Sequence, residues 1–133
     1  RRFVEPLLAT AGGPPMETVA VLREPVSWLS SWFRYRSRDD VDGKPASTRG
    51  RSFDDFVSEY CRGKPAPFAN VGFQSRFALN DDGTRGATHL FRYEEPDRLL
   101  AFLADRLGVR PDLPRLNVSP AMEVALSPAI EAR

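Results

Sequence analysis

The chain has 133 residues, 41% of them apolar and 28% charged, with a net charge of +1. That balance predicts one modest globular domain and excludes both a low-complexity chain and a nucleic-acid binder built on bulk positive charge. No apolar run is long enough to span a membrane and the first residues do not resemble a signal peptide; the single cysteine, Cys61, rules out an internal disulfide framework and fits a reducing, cytoplasmic compartment.

Residues 2–11 predict a short helix with Phe3, Val4, Leu7, Leu8 and Ala11 on one side, stopped by Gly12-Gly13-Pro14-Pro15. Val19 to Leu22 is a continuous apolar run rich in β-branched residues, which predicts a buried strand of a parallel sheet. The run ends on Arg23, and Pro25 stands at the first position of a following helix, where its missing N–H is no loss. A strand turning into a helix is expected to present free backbone N–H groups and a positive dipole end, a seat for an anion. Arg23 is placed at that mouth with a planar fork suited to phosphate. On the helix, Trp28, Leu29, Trp32, Phe33 and Tyr35 share one broad face, while Ser27, Ser31, Arg34 and Arg38 fall on the other side.

Residues 39–50 are polar and contain Gly43, Pro45 and Gly50, which predicts a surface loop. Between Arg34 and Arg51 six cations face three aspartates; a solvated face is expected for Arg36, Lys44, Arg49 and Arg51. Ser52 caps a second helix with Asp54 and Asp55 in its first turn, buried through Phe53, Phe56, Val57 and Tyr60 and ended by Gly63. Cys61 is expected to be a half-buried small side chain. Residues 70–79 predict a short helix packed by Phe73 and Phe77, and residues 80–84 a turn. Residues 87–93 predict a second strand. Pro96 then opens a helix with Leu99, Leu100, Phe102, Leu103 and Leu107 on one face, and Gly108 stops it. The order strand, helix, loop, helix, strand, helix predicts an α/β domain with parallel strands and right-handed crossovers. His89, the only histidine, lies inside a strand pattern and is expected to be structural.

The frame Val-Leu-Arg-Glu-Pro-Val-Ser-Trp-Leu-Ser-Ser-Trp-Phe, with Arg23, Pro25 and Ser31, resembles the 3′-phosphate-binding strand–helix of PAPS-dependent sulfotransferases. In that family an arginine and a serine at this spacing hold the 3′-phosphate of the donor, 3′-phosphoadenosine 5′-phosphosulfate (PAPS). Leu-Phe-Arg-Tyr-Glu-Glu-Pro-Asp-Arg-Leu-Leu resembles the family segment in which a Tyr-Glu pair ends a strand before an amphipathic helix, and residues 113–120 resemble a loop common in bacterial members. The resemblance implies a P-loop nucleotide-hydrolase-like parallel sheet flanked by helices, present as a partial domain over residues 1–133 and truncated at both ends. It implies cofactor contacts at Arg23, Ser31 and Tyr93, the last bordering adenine. PAPS or its product 3′,5′-diphosphoadenosine is the implied co-substrate, without a metal, and the implied partner is a small-molecule or glycan acceptor rather than nucleic acid or membrane.

The family's glycine-rich loop with its lysine, and its general base, have no match in the sequence; Lys44 and Lys64 lie outside any glycine-rich context. The chain alone is therefore expected to be inactive. Two other readings remain at this level: a different P-loop-fold transferase such as a nucleotide-dependent kinase, and a non-catalytic interaction domain whose aromatic helix, Trp28 to Tyr35, docks a partner. Core packing is the simpler expectation for those aromatics.

Overall fold

The computed structural model describes residues 17–114, 122 and 124–131, so the helix expected over residues 2–11 and most of the 113–120 segment lie outside the described residues. The chain divides into two units: one runs up to Leu22 and resumes over Gln74–Arg110, the other takes Arg23–Phe73 and the chain from Pro111 onward.

In the first unit, β1 (Val19–Leu22) and β2 (His89–Arg92) pair in parallel, with Val19 opposite His89 and Leu22 opposite Arg92. The register is pinned just before the strands. The Thr18 N–H donates to Thr88 Oγ1 and the Thr88 N–H donates to Thr18 Oγ1, both at 3.1 Å. Helix α4 (Pro96–Leu107), with Pro96 in its first turn, packs on β2 through Phe102, whose ring centroid lies 4.5 Å from that of His89 and 5.2 Å from that of Phe91. Gly108 takes the left-handed conformation (φ 69°) that closes this helix and donates its N–H to Ala104 O.

The parallel pair is as expected from the sequence, but its burial is not. Ala20 is buried, whereas Val19 and Val21 are 42% and 39% exposed. Parallel strands are ordinarily covered on both faces. Here the sheet has only two strands among the described residues, and the helix over it lies against β2, which leaves the β1 valines on that face partly open. The helix expected over residues 70–79 shrinks to one turn, α3 (Ser75–Ala78), and Phe77 is 73% exposed instead of packing it.

The second unit is built around α1 (Pro25–Arg36) and α2 (Phe53–Tyr60). Leu29 and Phe33 from α1 meet Phe53, Phe56 and Val57 from α2, with Phe68 and Ala69 closing the cluster. Phe33 lies 5.5 Å from Phe53 and 5.6 Å from Phe56 between ring centroids, within the range of favourable aromatic pairs. Helix α2 begins at a capping box. Its two halves are the Asp55 N–H donating to Ser52 Oγ at 3.1 Å and the Asp55 carboxylate accepting from the Ser52 N–H. Cys61 follows the helix and is exposed, because it sits on the cap where the chain turns outward.

The buried Thr48 serves two of the last four carbonyls at the far end of α1. Thr48 donates its hydroxyl to Phe33 O at 2.7 Å and its N–H to Arg36 O at 3.2 Å, while the N–H groups of Ser37 and Arg38 serve Arg34 O and Tyr35 O. All four carbonyls that the helix itself cannot satisfy thus find donors. The 39–50 segment is accordingly tethered, and it includes a 3-10 turn over Asp39–Val41.

The short helix α5 (Pro128–Glu131) is tied to the start of α2 by the Ser127 N–H, which donates to Asp54 Oδ1 at 3.0 Å. The Ser127 hydroxyl first, then this N–H, holds the Asp54 carboxyl below its ordinary pKa. A carboxyl depressed by folding adds stability above its unfolded pKa, and that stability is lost as pH falls through the folded value. Acidification past the ordinary carboxylate range should therefore loosen α5, and Asp54→Asn should flatten that part of the stability–pH curve. Side-chain NMR titration of Asp54 checks the assignment; a midpoint at or above that of a free aspartate would contradict it.

Candidate functional site

Ser27 and Ser31 lie four residues apart on the polar side of α1, and Arg23 stands in the turn just before the helix. Arg23 is half-buried, and its Nε–H donates to Ser27 Oγ at 2.8 Å. The polar side continues with Ser30, whose hydroxyl donates to Ser27 O at 2.9 Å, and with Arg34, whose Nε–H donates to Ser30 O at 3.2 Å. One guanidinium and three hydroxyls therefore share one side of α1, and the Arg23 guanidinium reaches Ser27 from the turn before it. The sequence marked Arg23 and Ser31; the part played by Ser27 went unnoticed, although its position four residues after Arg23 was a usable signal.

The expectation of free N–H groups at the start of this helix is corrected. Pro25 has no N–H to offer. The Val26 and Ser27 N–H groups donate to the two carboxylate oxygens of Glu24, at 2.9 and 2.6 Å, and the Trp28 N–H donates to Glu24 O at 2.8 Å. Every amide donor of the first turn thus ends on one residue. A carboxylate directly before Pro25 curls back onto the second and third helical amides and supplies the negative charge that the dipole favours. Recognition of a ligand anion here falls to side chains, since the backbone already holds an internal one.

The solvated face expected of the basic stretch holds for Lys44, Arg49 and Arg51, which are exposed, and is corrected for Arg36. Arg36 does not face solvent freely: its guanidinium donates to the carbonyls of Pro67, Phe68 and Asn70 at 2.7–2.9 Å, and burial pulls its pKa down. Arg49 pairs with Asp39 and Asp42, whose hydrogen bonds, that of Asp39 foremost, push its pKa up. Arg51 lies over the Phe68 ring at 3.8 Å and the Lys44 ammonium donates to Asp40 O at 2.6 Å. These four cations hold loops in place. An open concavity of about 660 Å³ after the end of α1, lined by Ser37, Arg38, Asp39, Asp40, Arg49 and Met122, carries both signs of charge.

The broad face of α1 does not all enter the core. Leu29 and Phe33 are buried; Trp28 and Trp32 are half-buried and Tyr35 is 38% exposed. Their rings continue a row of edge contacts from Tyr35 through Trp32 and Trp28 to Tyr60, which meets Phe73 at a tilt, with centroids 5.7–6.5 Å apart.

Tyr93 belongs to the first unit. It follows β2, donates its N–H to Leu22 O at 2.8 Å and exposes much of its ring. His89, in the same unit, has Nε2 3.3 Å from Glu17 Oε2, and the same carboxylate oxygen lies 3.3 Å from Arg106 Nη2. Among the described residues no cluster of His, Cys, Asp or Glu forms a metal-ligand set. No helix among them is long and apolar enough to cross a membrane.

No family model, curated protein or solved structure matches the chain.

Because Glu24 closes the first turn of α1, Glu24→Ala should lower stability by about 1 kcal/mol, the ordinary cost of a lost N-cap. The emptied amides should then accept an oxyanion from solution. Sulfate, compared with chloride at matched ionic strength, is expected to raise the melting temperature of the variant more than that of the parent chain. Equal salt responses would show that the amides do not govern anion binding here.

Proposed function

We propose that this chain carries the 3′-phosphate-binding half of a PAPS-dependent sulfotransferase with a P-loop-like fold. The protein would transfer a sulfuryl group from PAPS to a hydroxyl or amine of a small-molecule or glycan acceptor in a bacterial-type cytoplasm. The observation that carries this reading is the polar side of α1. It is a helix entered directly from a parallel strand, with Arg23 anchored to Ser27 and Ser31 one turn further on. Arg23 acts as the clamp on the 3′-phosphate, Ser31 donates a hydrogen bond to it, and Tyr93 borders the adenine. No metal is required, because a planar guanidinium and hydroxyl donors neutralise and orient a phosphate.

Sulfuryl transfer, like phosphoryl transfer, depends on positioning and on stabilising charge on the leaving and attacking oxygens. The sequence has no glycine-rich loop followed by Lys-Ser or Lys-Thr to supply that charge on the leaving side. The 133-residue chain by itself should therefore show no turnover of labelled PAPS over a panel of alcohol and amine acceptors. Robust turnover would place the catalytic groups within these residues.

Binding tests the reading directly. A charge-assisted contact to phosphate contributes about 1.5–3 kcal/mol, so 3′,5′-diphosphoadenosine should bind at least about tenfold more tightly than 5′-AMP. Arg23→Lys should remove most of that preference while leaving the melting temperature of the unliganded chain nearly unchanged. Calorimetry that finds equal affinities would favour a kinase-like nucleotide site. Absence of binding to either nucleotide would favour an interaction domain, for which the partly exposed aromatic row is the natural surface.

A further inference from the structure

We propose that Arg34 supplies a second guanidinium to the phosphate that Arg23 clamps, so that the site selects a doubly charged phosphate monoester; the inference rests on the reading of Arg23 as the phosphate clamp. Ser27, Ser30, Ser31 and Arg34 fall within one narrow arc of α1. Long helical side chains lean back toward the start of their helix, and Arg34 does so. Its Nε–H donates to Ser30 O at 3.2 Å and its Nη2 lies 3.5 Å from Ser30 Oγ. Arg23 comes to the same turn from the opposite direction, with its Nε–H on Ser27 Oγ at 2.8 Å. The Ser30 hydroxyl links the two approaches by donating to Ser27 O at 2.9 Å. Two guanidinium groups are thus drawn to one turn of one helix, with Ser31 on the same arc.

The charge of Arg34 is not spent on the fold. Helix α1 contains no acidic residue, and among the described residues Arg34 makes no ion pair and its Nη1 has no hydrogen-bond partner. Its neighbours differ: Arg36 reaches three carbonyls, Arg38 lies 3.4 Å from Asp40, and Arg49 pairs with Asp39 and Asp42. A cation in the last turn of a helix suits the dipole. The last four carbonyls of α1, however, already have donors in Thr48, Ser37 and Arg38, and Arg34 turns its guanidinium the other way. A phosphate monoester carries a charge of about −1.5 to −2 at neutral pH. One guanidinium balances part of it, and a second on the same turn balances the rest through charge-assisted bonds. A phosphodiester, with a single charge, gains less from the second arginine.

The test compares the parent chain with Arg34→Gln and Arg34→Lys by calorimetric titration. The ligands are 3′,5′-diphosphoadenosine, 5′-AMP, and 3′,5′-diphosphoadenosine methylated on its 3′-phosphate, which leaves that group one charge. Arg34→Gln strands no buried group: Ser30 O keeps its helical N–H bond and the Ser30 hydroxyl keeps Ser27 O, so the melting temperature should be nearly unchanged. The expected result is a loss of about tenfold for 3′,5′-diphosphoadenosine, the size of one charge-assisted contact, with 5′-AMP unaffected. The parent should favour the doubly charged 3′-phosphate over its methyl ester, and Arg34→Gln should lose most of that preference. Arg34→Lys keeps the charge without the planar fork and should recover part of the loss.

The possible failures are separable. A parent chain that does not distinguish 3′,5′-diphosphoadenosine from 5′-AMP overturns the phosphate-clamp reading, and the part of Arg34 with it. A parent chain that does distinguish them, with affinity and charge preference unchanged in Arg34→Gln, leaves Arg23 as the clamp and overturns the role of Arg34. Equal weakening of all three ligands overturns that role as well, because a disturbed helix or a general field acts on them alike.

Discussion

The second unit depends on α1 having both ends closed by its own chain. Helix ends leave backbone groups without partners, and in a small unit few neighbours are available to cover them. Glu24 takes every amide donor of the first turn, and at the other end Thr48, Ser37 and Arg38 donate to the last four carbonyls. With its ends settled, the helix commits Leu29 and Phe33 to the aromatic core and leaves its polar side for Arg23, Ser27 and Ser31. The same closure narrows the chemistry available there. A helix start that already holds a carboxylate recognises an anion through side chains, which makes the orientation of Arg23 the quantity that matters.

Arginine, rather than lysine, runs through this arrangement for a physical reason. Arg36 reaches three carbonyls in the 67–70 segment at once, and Arg49 bridges two aspartates and the carbonyl of Ser37. A lysine ammonium has three donors on one point and cannot span such sets. Loops that would otherwise need regular structure are held by these forks instead.

Elements announced by local chemistry were legible in the sequence. Pro96 and Gly108 bracket α4, Ser52 opens α2, and the parallel pairing of the two apolar runs emerges as read. What could not be read was decided by distant partners. The exposure of Val19 and Val21 depends on which neighbours cover a two-stranded sheet, and a β-branched run looks the same whether it is central or half open. Phe73 and Phe77 have the spacing of a buried helix face, but the backbone there makes only one turn. The destination of Arg36 lies in a segment far along the chain, so charge counting alone assigned it to solvent. At the candidate site the residue types and spacing of Arg23 and Ser31 were visible. The bond from Arg23 to Ser27 and the turn of Glu24 onto the helix are matters of rotamer, which sequence spacing permits without selecting.

The two tryptophans stand in edge contact on one helix, with centroids 6.5 Å apart and planes at 82°. Since Trp28 and Trp32 are the only indoles in the chain, its tryptophan emission comes wholly from the second unit. The first unit is silent in that channel, and among its described residues Tyr93 is the sole phenol. The molecule therefore carries a built-in optical division of labour: excitation of indole alone follows the melting of α1 and its neighbours, and an amide-backbone signal recorded beside it contains the contribution of the strand pair. A mismatch between the two melting curves would reveal that the units lose their structure as independent cooperative blocks.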